Sequence, residues 1–208
     1  MRIAGFNLKG VETIIALNLM VFVLEMVNVD YIIENFGLTP ATILTKPWTI
    51  ITSMFVHAGF SHVFFNMFAL FFFGIYLTRL VGERTFLKIY FAGGIFAGLA
   101  YVFTSLVFGI PSPDIPAVGA SGAIFAIMGT LVVLRPNMTI LLNFLFPMPL
   151  WIFAALYTLY ALFSIGLTMG SIAHNAHLGG LVLGLLVGYY LKKKTPPEVH
   201  TYGYRVYY

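Results

Sequence analysis

Ala176-His177-Leu178-Gly179-Gly180-Leu181-Val182-Leu183-Gly184-Leu185-Leu186-Val187-Gly188 reads as one apolar helix with two unusual features. Gly180, Gly184 and Gly188 recur every four residues, so they line one helical face and let a second backbone approach closely. At the head of that helix stands His177, in a segment otherwise suited to lipid. An ionisable side chain at membrane depth is costly, so it faces other helices or water and marks a site. On its own, His177 has two readings: a histidine hydrogen-bonded at a helix end, or a base.

The natural partner for a glycine face is another small-residue helix. Val118-Gly119-Ala120-Ser121-Gly122-Ala123 opens one, with Ser121 between Gly119 and Gly122. Small residues of this kind pack transmembrane helices. A serine at a helix amino terminus also lies beside unpaired N–H groups and the positive end of the helix dipole, which suit a developing oxyanion. If the two helices pack together, Ser121 and His177 come within reach, and a neutral imidazole can take the hydroxyl proton. A third polar element is His62-Val63-Phe64-Phe65-Asn66, whose spacing of four puts His62 and Asn66 on one helical face. They are either an interhelical clamp or donors toward negative charge.

The rest of the chain agrees with a lipid setting. Of 208 residues, 60% are hydrophobic and only 9% are charged, against about 25% in a soluble domain. The absence of cysteine rules out disulfides, a thiol nucleophile and thiolate metal sites. A net charge of +4 in a soluble protein would hint at nucleic acid; here the basic residues flank apolar segments, and no nucleic-acid partner is expected. The length suggests one domain, taken as residues 1–195, with a short cytoplasmic tail at 196–208.

Six segments are candidate spans: Val11–Val29, His62–Val81, Phe86–Phe108, Ser121–Leu134, Pro147–Leu167 and His174–Leu191. The predicted class is all-α, a polytopic six-helix membrane bundle. The first segment is read as a retained helix and not a cleaved signal, with Glu25 near an interface or facing other helices. The fourth is short and is expected to begin part-way into the membrane, at the bottom of a cavity. The connection Asp30 to Ser61, with Trp48, Ile50, Ile51, Met54, Phe55 and Phe60, is too apolar for a solvated loop and is expected to fold onto or into the outer leaflet.

With six spans, Arg2, Lys9, Arg79, Arg84, Lys88, Arg135, Lys192, Lys193, Lys194 and Arg205 share one side. Lys46, Asp30, Glu34 and Asp114 take the other. That asymmetry places both termini in the cytoplasm and the site toward the extracytoplasmic side.

Taken together, His62-x-x-x-Asn66, Gly119-x-Ser121-Gly122 and Ala176-His177-x-Gly179-Gly180 resemble, in order, the signature of the rhomboid family of intramembrane serine proteases. The resemblance covers nearly the whole chain and implies a prokaryotic-type, six-helix rhomboid in a cell membrane. It further implies Ser121 as nucleophile and His177 as base and later acid, with the oxyanion held by the Ser121 N–H, His62 and Asn66. Gly119, Gly122, Gly180 and Gly184 are close-packing positions. Phe125 stands where the family often has a tyrosine stacked on the histidine. Trp48 is followed by Thr49 where the family often has arginine, and Glu83-Arg84 resembles its acidic-basic pair.

The implied substrates are transmembrane segments of other proteins, with a small residue before the cut. No cofactor and no metal are implied. His174 is the nearest polar candidate to orient His177, or a simple rim residue; His57 is read as structural or lining the water route. The fifth segment, with Pro147, Pro149 and Trp151 and no catalytic residue, is the candidate gate. The alternative is an inactive rhomboid-like protein that binds membrane clients. A channel or metal site built on His57, His62, His174 and His177 is the remaining reading.

Overall fold

Helix follows each apolar segment of the sequence. A computed structural model describes residues 2–3, 6–7, 10–142, 145–166 and 173–194. The first long helix is α1 (Gly10–Glu25), followed by the short α2 (Val29–Phe36) and α3 (Thr49–Thr52). Next come α4 (Phe60–Ala69), a π-helical turn at Leu70–Gly74 and α5 (Ile75–Val81). The remaining helices are α6 (Glu83–Phe108), α7 (Ser121–Leu134), α8 (Leu150–Gly166) and α9 (His174–Lys194). The tail at 196–208 lies outside the described residues.

Among the described residues, two stretches are long and apolar enough to cross a bilayer by length and composition: Phe60–Val81 and Glu83–Phe108. The others do not meet both criteria. Helices α1, α7 and α8 have 16, 14 and 17 residues, or ~21–26 Å at 1.5 Å per residue, against a hydrocarbon core of about 30 Å. Helix α9, with 21 residues, is long enough but is less apolar and ends in three lysines. Length and composition together support two spans among the described residues, and the expected six are not confirmed.

Two boundaries differ from the sequence reading for reasons visible in the structure. The first helix ends at Glu25 and not Val29, because Asn28 starts a new helix: its Oδ1 accepts the Tyr31 N–H at 3.0 Å. Glu25 itself is buried and accepts the His57 N–H at 2.9 Å. The fifth segment starts at Leu150 and not Pro147. Residues Phe146–Pro149 form a strand, β4, paired antiparallel with β3 (Thr139–Leu142) in a two-stranded ribbon. Proline cannot donate to a ladder and disfavours helix in the residue before it, so Pro147 and Pro149 suit this edge. A smaller ribbon, Arg2–Ile3 with Phe6–Asn7, precedes α1. The bundle is helical as expected; the two ribbons were not.

The core is centred on α7, held between α6 and α9. On the α9 side the glycine ridge meets backbone. A Cβ at Gly180 would collide with the Gly122 carbonyl oxygen, and one at Gly184 with that of Ala126. At Gly188 it would lie 2.9 Å from the Thr130 oxygen. The contact is reciprocal, since a Cβ at Gly129 would be 2.5 Å from the Leu181 oxygen. Thr130 adds a bond across the seam, donating to the Gly184 carbonyl at 3.1 Å as well as to its own Ala126 carbonyl at 2.9 Å. On the α6 side, Ala97 fills the space beside Gly122, and Ala126 the space beside Gly93.

The connection from 30 to 61 packs partly inward. Met54 is buried against Gly94, and Ile50 lies against Gly98 of α6, while Trp48, Ile51 and Phe60 stay exposed. Its turns are tied together: the Trp48 indole donates to the Asn35 carbonyl at 3.0 Å and Thr52 to the Phe36 carbonyl at 2.8 Å. Leu38 and Ala117 exchange backbone bonds of 2.9 Å each, and Gly119 N–H donates to the Ser53 carbonyl at 2.8 Å. Both connections at this end of the bundle therefore converge on the start of α7.

The ridge makes a direct prediction. Gly184→Ala should lower the thermal midpoint of the detergent-solubilised protein, because backbone cannot yield to the added methyl; overpacking of this kind costs about 1–3 kcal/mol. Leu186→Ala, on the exposed face of the same helix, should leave the midpoint nearly unchanged.

Candidate active site

Ser121 is the first residue of α7. The first bond of that helix runs from Ile124 N–H to the Ala120 carbonyl at 3.0 Å, so the N–H groups of Ser121, Gly122 and Ala123 have no acceptor within the helix. His177 stands in the first turn of α9, one turn before the ridge begins. Because the ridge fixes α9 on α7 at backbone distance, their site-end residues meet: Ser121 Oγ lies 2.6 Å from His177 Nε2. Phe125, one turn into α7, stacks on the imidazole with ring centroids 4.6 Å apart and planes at 15°.

The start of α9 is fixed from the other side by Asn175, whose amide donates to Thr104 Oγ1 and, at 3.3 Å, to the Ile110 carbonyl. The loop after α6 is anchored by Tyr101 and Ser105, which donate to the carbonyls of Ile115 and Pro111 at 2.9 and 2.8 Å.

His62 approaches Ser121 from α4. Its Nδ1 accepts the Ala58 N–H at 3.3 Å, which leaves the proton on Nε2. That nitrogen lies where a Gly119 side chain would be, 2.7 Å from an ideal Cβ. Gly119 has φ +113°, a conformation that only glycine adopts without strain. The missing side chain thus provides the space into which His62 projects.

His57 sits behind this group, fully buried in the connection before α4. Its Nδ1 faces the Phe55 carbonyl at 3.2 Å, and its Nε2 accepts from Ala120 N–H at a long 3.5 Å. Burial, with His62 alongside, pushes its pKa down to about 4, in keeping with a neutral ring whose Nε2 accepts. His57 therefore braces the turn that presents Ser121 and does not line the water route.

Asn66 is placed differently from His62. Its amide donates to the His62 carbonyl at 2.9 Å, the side chain is buried, and Oδ1 has no partner among the described residues. It supports the turn that carries His62 from behind.

A cavity of about 700 Å³ opens at this end of the bundle. His62, Ser121, Ser164, His174, Asn175 and His177 supply much of its polar lining, and the 109–118 connection much of its apolar wall. Among the described residues no three His, Asp or Glu side chains converge as metal ligands.

Sequence reading missed Tyr157. From α8 its hydroxyl reaches His177 Nδ1 at 2.5 Å and His174 Nδ1 at 3.1 Å. The available signal was a tyrosine pair, Tyr157 and Tyr160, three residues apart in an otherwise greasy helix; both rings contact His174.

Comparison with known proteins places this geometry. The Rhomboid domain pattern matches residues 44–194. The mitochondrial Rhomboid protein 1 of Saccharomyces cerevisiae is 31% identical over 186 residues, which cover 88% of this chain and 53% of that protein. The mitochondrial Presenilin-associated rhomboid-like protein A of Danio rerio is 30% identical over 187 residues, 87% of this chain and 48% of that protein. Rhomboid protease GluP of Bacillus subtilis is 31% identical over 173 residues, 80% of this chain and 31% of that protein. The chain thus spans about half or less of the length of these relatives.

Gly119→Ala should both strain the backbone and displace His62. Strain of this kind costs about 1–3 kcal/mol, readable as a lower thermal midpoint, and a structure of the variant should show the imidazole moved away from Ser121. An unmoved His62 would contradict the steric account.

Proposed function

The chain belongs to the rhomboid family, and from that premise we propose that it is an intramembrane serine endopeptidase that cleaves transmembrane segments with a Ser121–His177 dyad. The observation that carries the proposal is the 2.6 Å approach of Ser121 Oγ to His177 Nε2 in a cavity that both residues line. Ser121 Oγ attacks the scissile carbonyl while its proton passes to Nε2. The tetrahedral oxyanion lies within reach of the Ser121 N–H and the His62 Nε2–H, donors fixed before the charge develops. Asn66 holds the His62 turn and offers its second amide hydrogen. The imidazolium then protonates the leaving amine. A water admitted through the cavity, deprotonated by His177, hydrolyses the acyl-enzyme.

The substrate class follows from the surroundings. Apolar residues cover the outer faces of α1, α4, α6 and α8, so a peptide reaching Ser121 sideways arrives from lipid. Family resemblance favours a small residue before the cut and a helix-weakening sequence nearby. Lateral access past α8 is part of the proposal, since Trp151, Leu156, Leu159 and Phe163 leave its outer face unpacked. The charge asymmetry supports cytoplasmic termini and a site opening on the extracytoplasmic side. Mitochondrial and bacterial relatives match alike, and the proposal specifies the orientation of the chain without assigning a particular membrane. An inactive client-binding relative needs neither the serine nor the base, and here both stand in bonding contact.

Cleavage of a transmembrane reporter in liposomes tests the reading. Wild type should release the fragment, whereas Ser121→Ala and His177→Ala should not, while both remain folded. His62→Ala should lose on the order of 10²-fold in kcat, as for one oxyanion donor. Asn66→Ala should lose less, because its amide is shared with the His62 carbonyl. Normal turnover by His177→Ala would overturn the dyad.

A further inference from the structure

The hydroxyl of Tyr157 lies between two histidines and carries one proton. His177 Nδ1 is 2.5 Å away and His174 Nδ1 is 3.1 Å away. A neutral imidazole has one N–H and one bare nitrogen, so the single phenolic proton links the tautomers of the two rings. When the phenol donates to His174, its oxygen accepts from His177, which then carries its proton on Nδ1 and leaves Nε2 bare toward Ser121. In the reverse arrangement the phenol donates to His177 Nδ1, Nε2 carries the proton, and Ser121 Oγ faces a donor. Only the first arrangement gives a base.

Resting on the dyad reading above, we propose that Tyr157 and His174 are positioning residues that hold His177 in its Nδ1–H tautomer, doing without a charge the work that a carboxylate does in a catalytic triad. The surrounding packing fixes the rings that take part. His174 is buried in the first turn of α9, and its ring meets Tyr160 edge-on, centroids 5.2 Å apart at 90°. Phe125 lies against both partners of the short bond, 4.6 Å from the His177 ring and 4.5 Å from the Tyr157 ring. The rings are thereby held in the orientation that the bonds require.

During acylation the proton balance is simple. Ser121 Oγ loses its proton to His177 Nε2, and Nδ1–H stays bonded to the phenolic oxygen. The Tyr157 O–H remains directed at His174, so no proton moves along the chain. The phenol dipole faces the new imidazolium with its negative end. The bond comes from α8, so the tautomer of the base depends on that helix being docked.

The test uses the full-length protein in detergent micelles, with fluorophosphonate inactivation kinetics and ¹⁵N NMR of the imidazole nitrogens. Wild type should show His177 protonated on Nδ1. Tyr157→Phe, which removes only the hydroxyl, should lower kinact about tenfold, the value of one neutral hydrogen bond, with KI unchanged. His174→Leu should be the slower single variant, because the freed phenol can now donate to His177 Nδ1, and its NMR signature should switch to Nε2–H. The double variant Tyr157→Phe/His174→Leu should recover to the level of Tyr157→Phe alone. Losses that simply add, with the His177 tautomer unchanged throughout, would overturn the proposal and leave these residues a packing role. A wild type that the fluorophosphonate never labels would instead overturn the dyad reading, while the NMR signatures still decide what Tyr157 and His174 do.

Discussion

Glycine against carbonyl along the α7–α9 seam is the contact on which the rest of the molecule depends. Gly180, Gly184 and Gly188 meet the backbone of Gly122, Ala126 and Thr130 in register, so the two helices have no side-chain layer between them to absorb a shift. In lipid, association gains little from hydrophobic burial and depends on such close packing and on interhelical hydrogen bonds. Thr130 supplies one across the same seam. The two catalytic candidates sit at the open end of this seam, one on each helix. Their 2.6 Å separation is a property of the ridge as much as of the residues themselves.

The second half of the site is assembled from outside the seam. The connection before α4 brings His57 under the Ser121 turn, and α4 brings His62 over Gly119. Glu25 fixes that connection from α1 through the His57 N–H. The connection after α6 is fastened to α6 by Tyr101 and Ser105 and to the first connection through Leu38 and Ala117. The proposed base and nucleophile thus belong to one close-packed pair of helices, while the proposed oxyanion donors come from that pair and a separately anchored neighbour. The α8 helix reaches the site through Tyr157, Tyr160 and Ser164 and presents much of its remaining length outward.

What could be read from the chain alone follows from periodicity. The spacing of four in the ridge, the serine at a helix start and the His62–Asn66 pair each specify a face, and faces survive translation into structure. The stacking of Phe125 on His177 was expected from the family resemblance and not from any period. Less accessible were relations that no period encodes. Tyr157 meets His177 only because α8 packs beside α9 at a particular height. The Asn66 amide turned back to the His62 carbonyl of its own helix, as polar side chains in helices often do, a tie that the spacing of four did not reveal. The first helix stopped at Glu25 because a cap at Asn28 and a bond to a distant loop both acted there, and the expected six spans exceed the two that length and composition together support among the described residues.

Mapping the covalent adduct tests the central claim most directly. The intact protein would be treated with a fluorophosphonate, digested and sequenced by tandem mass spectrometry. The account predicts one adduct, on Ser121, that disappears in His177→Ala. An adduct on another residue, or undiminished modification of Ser121 without His177, would contradict it.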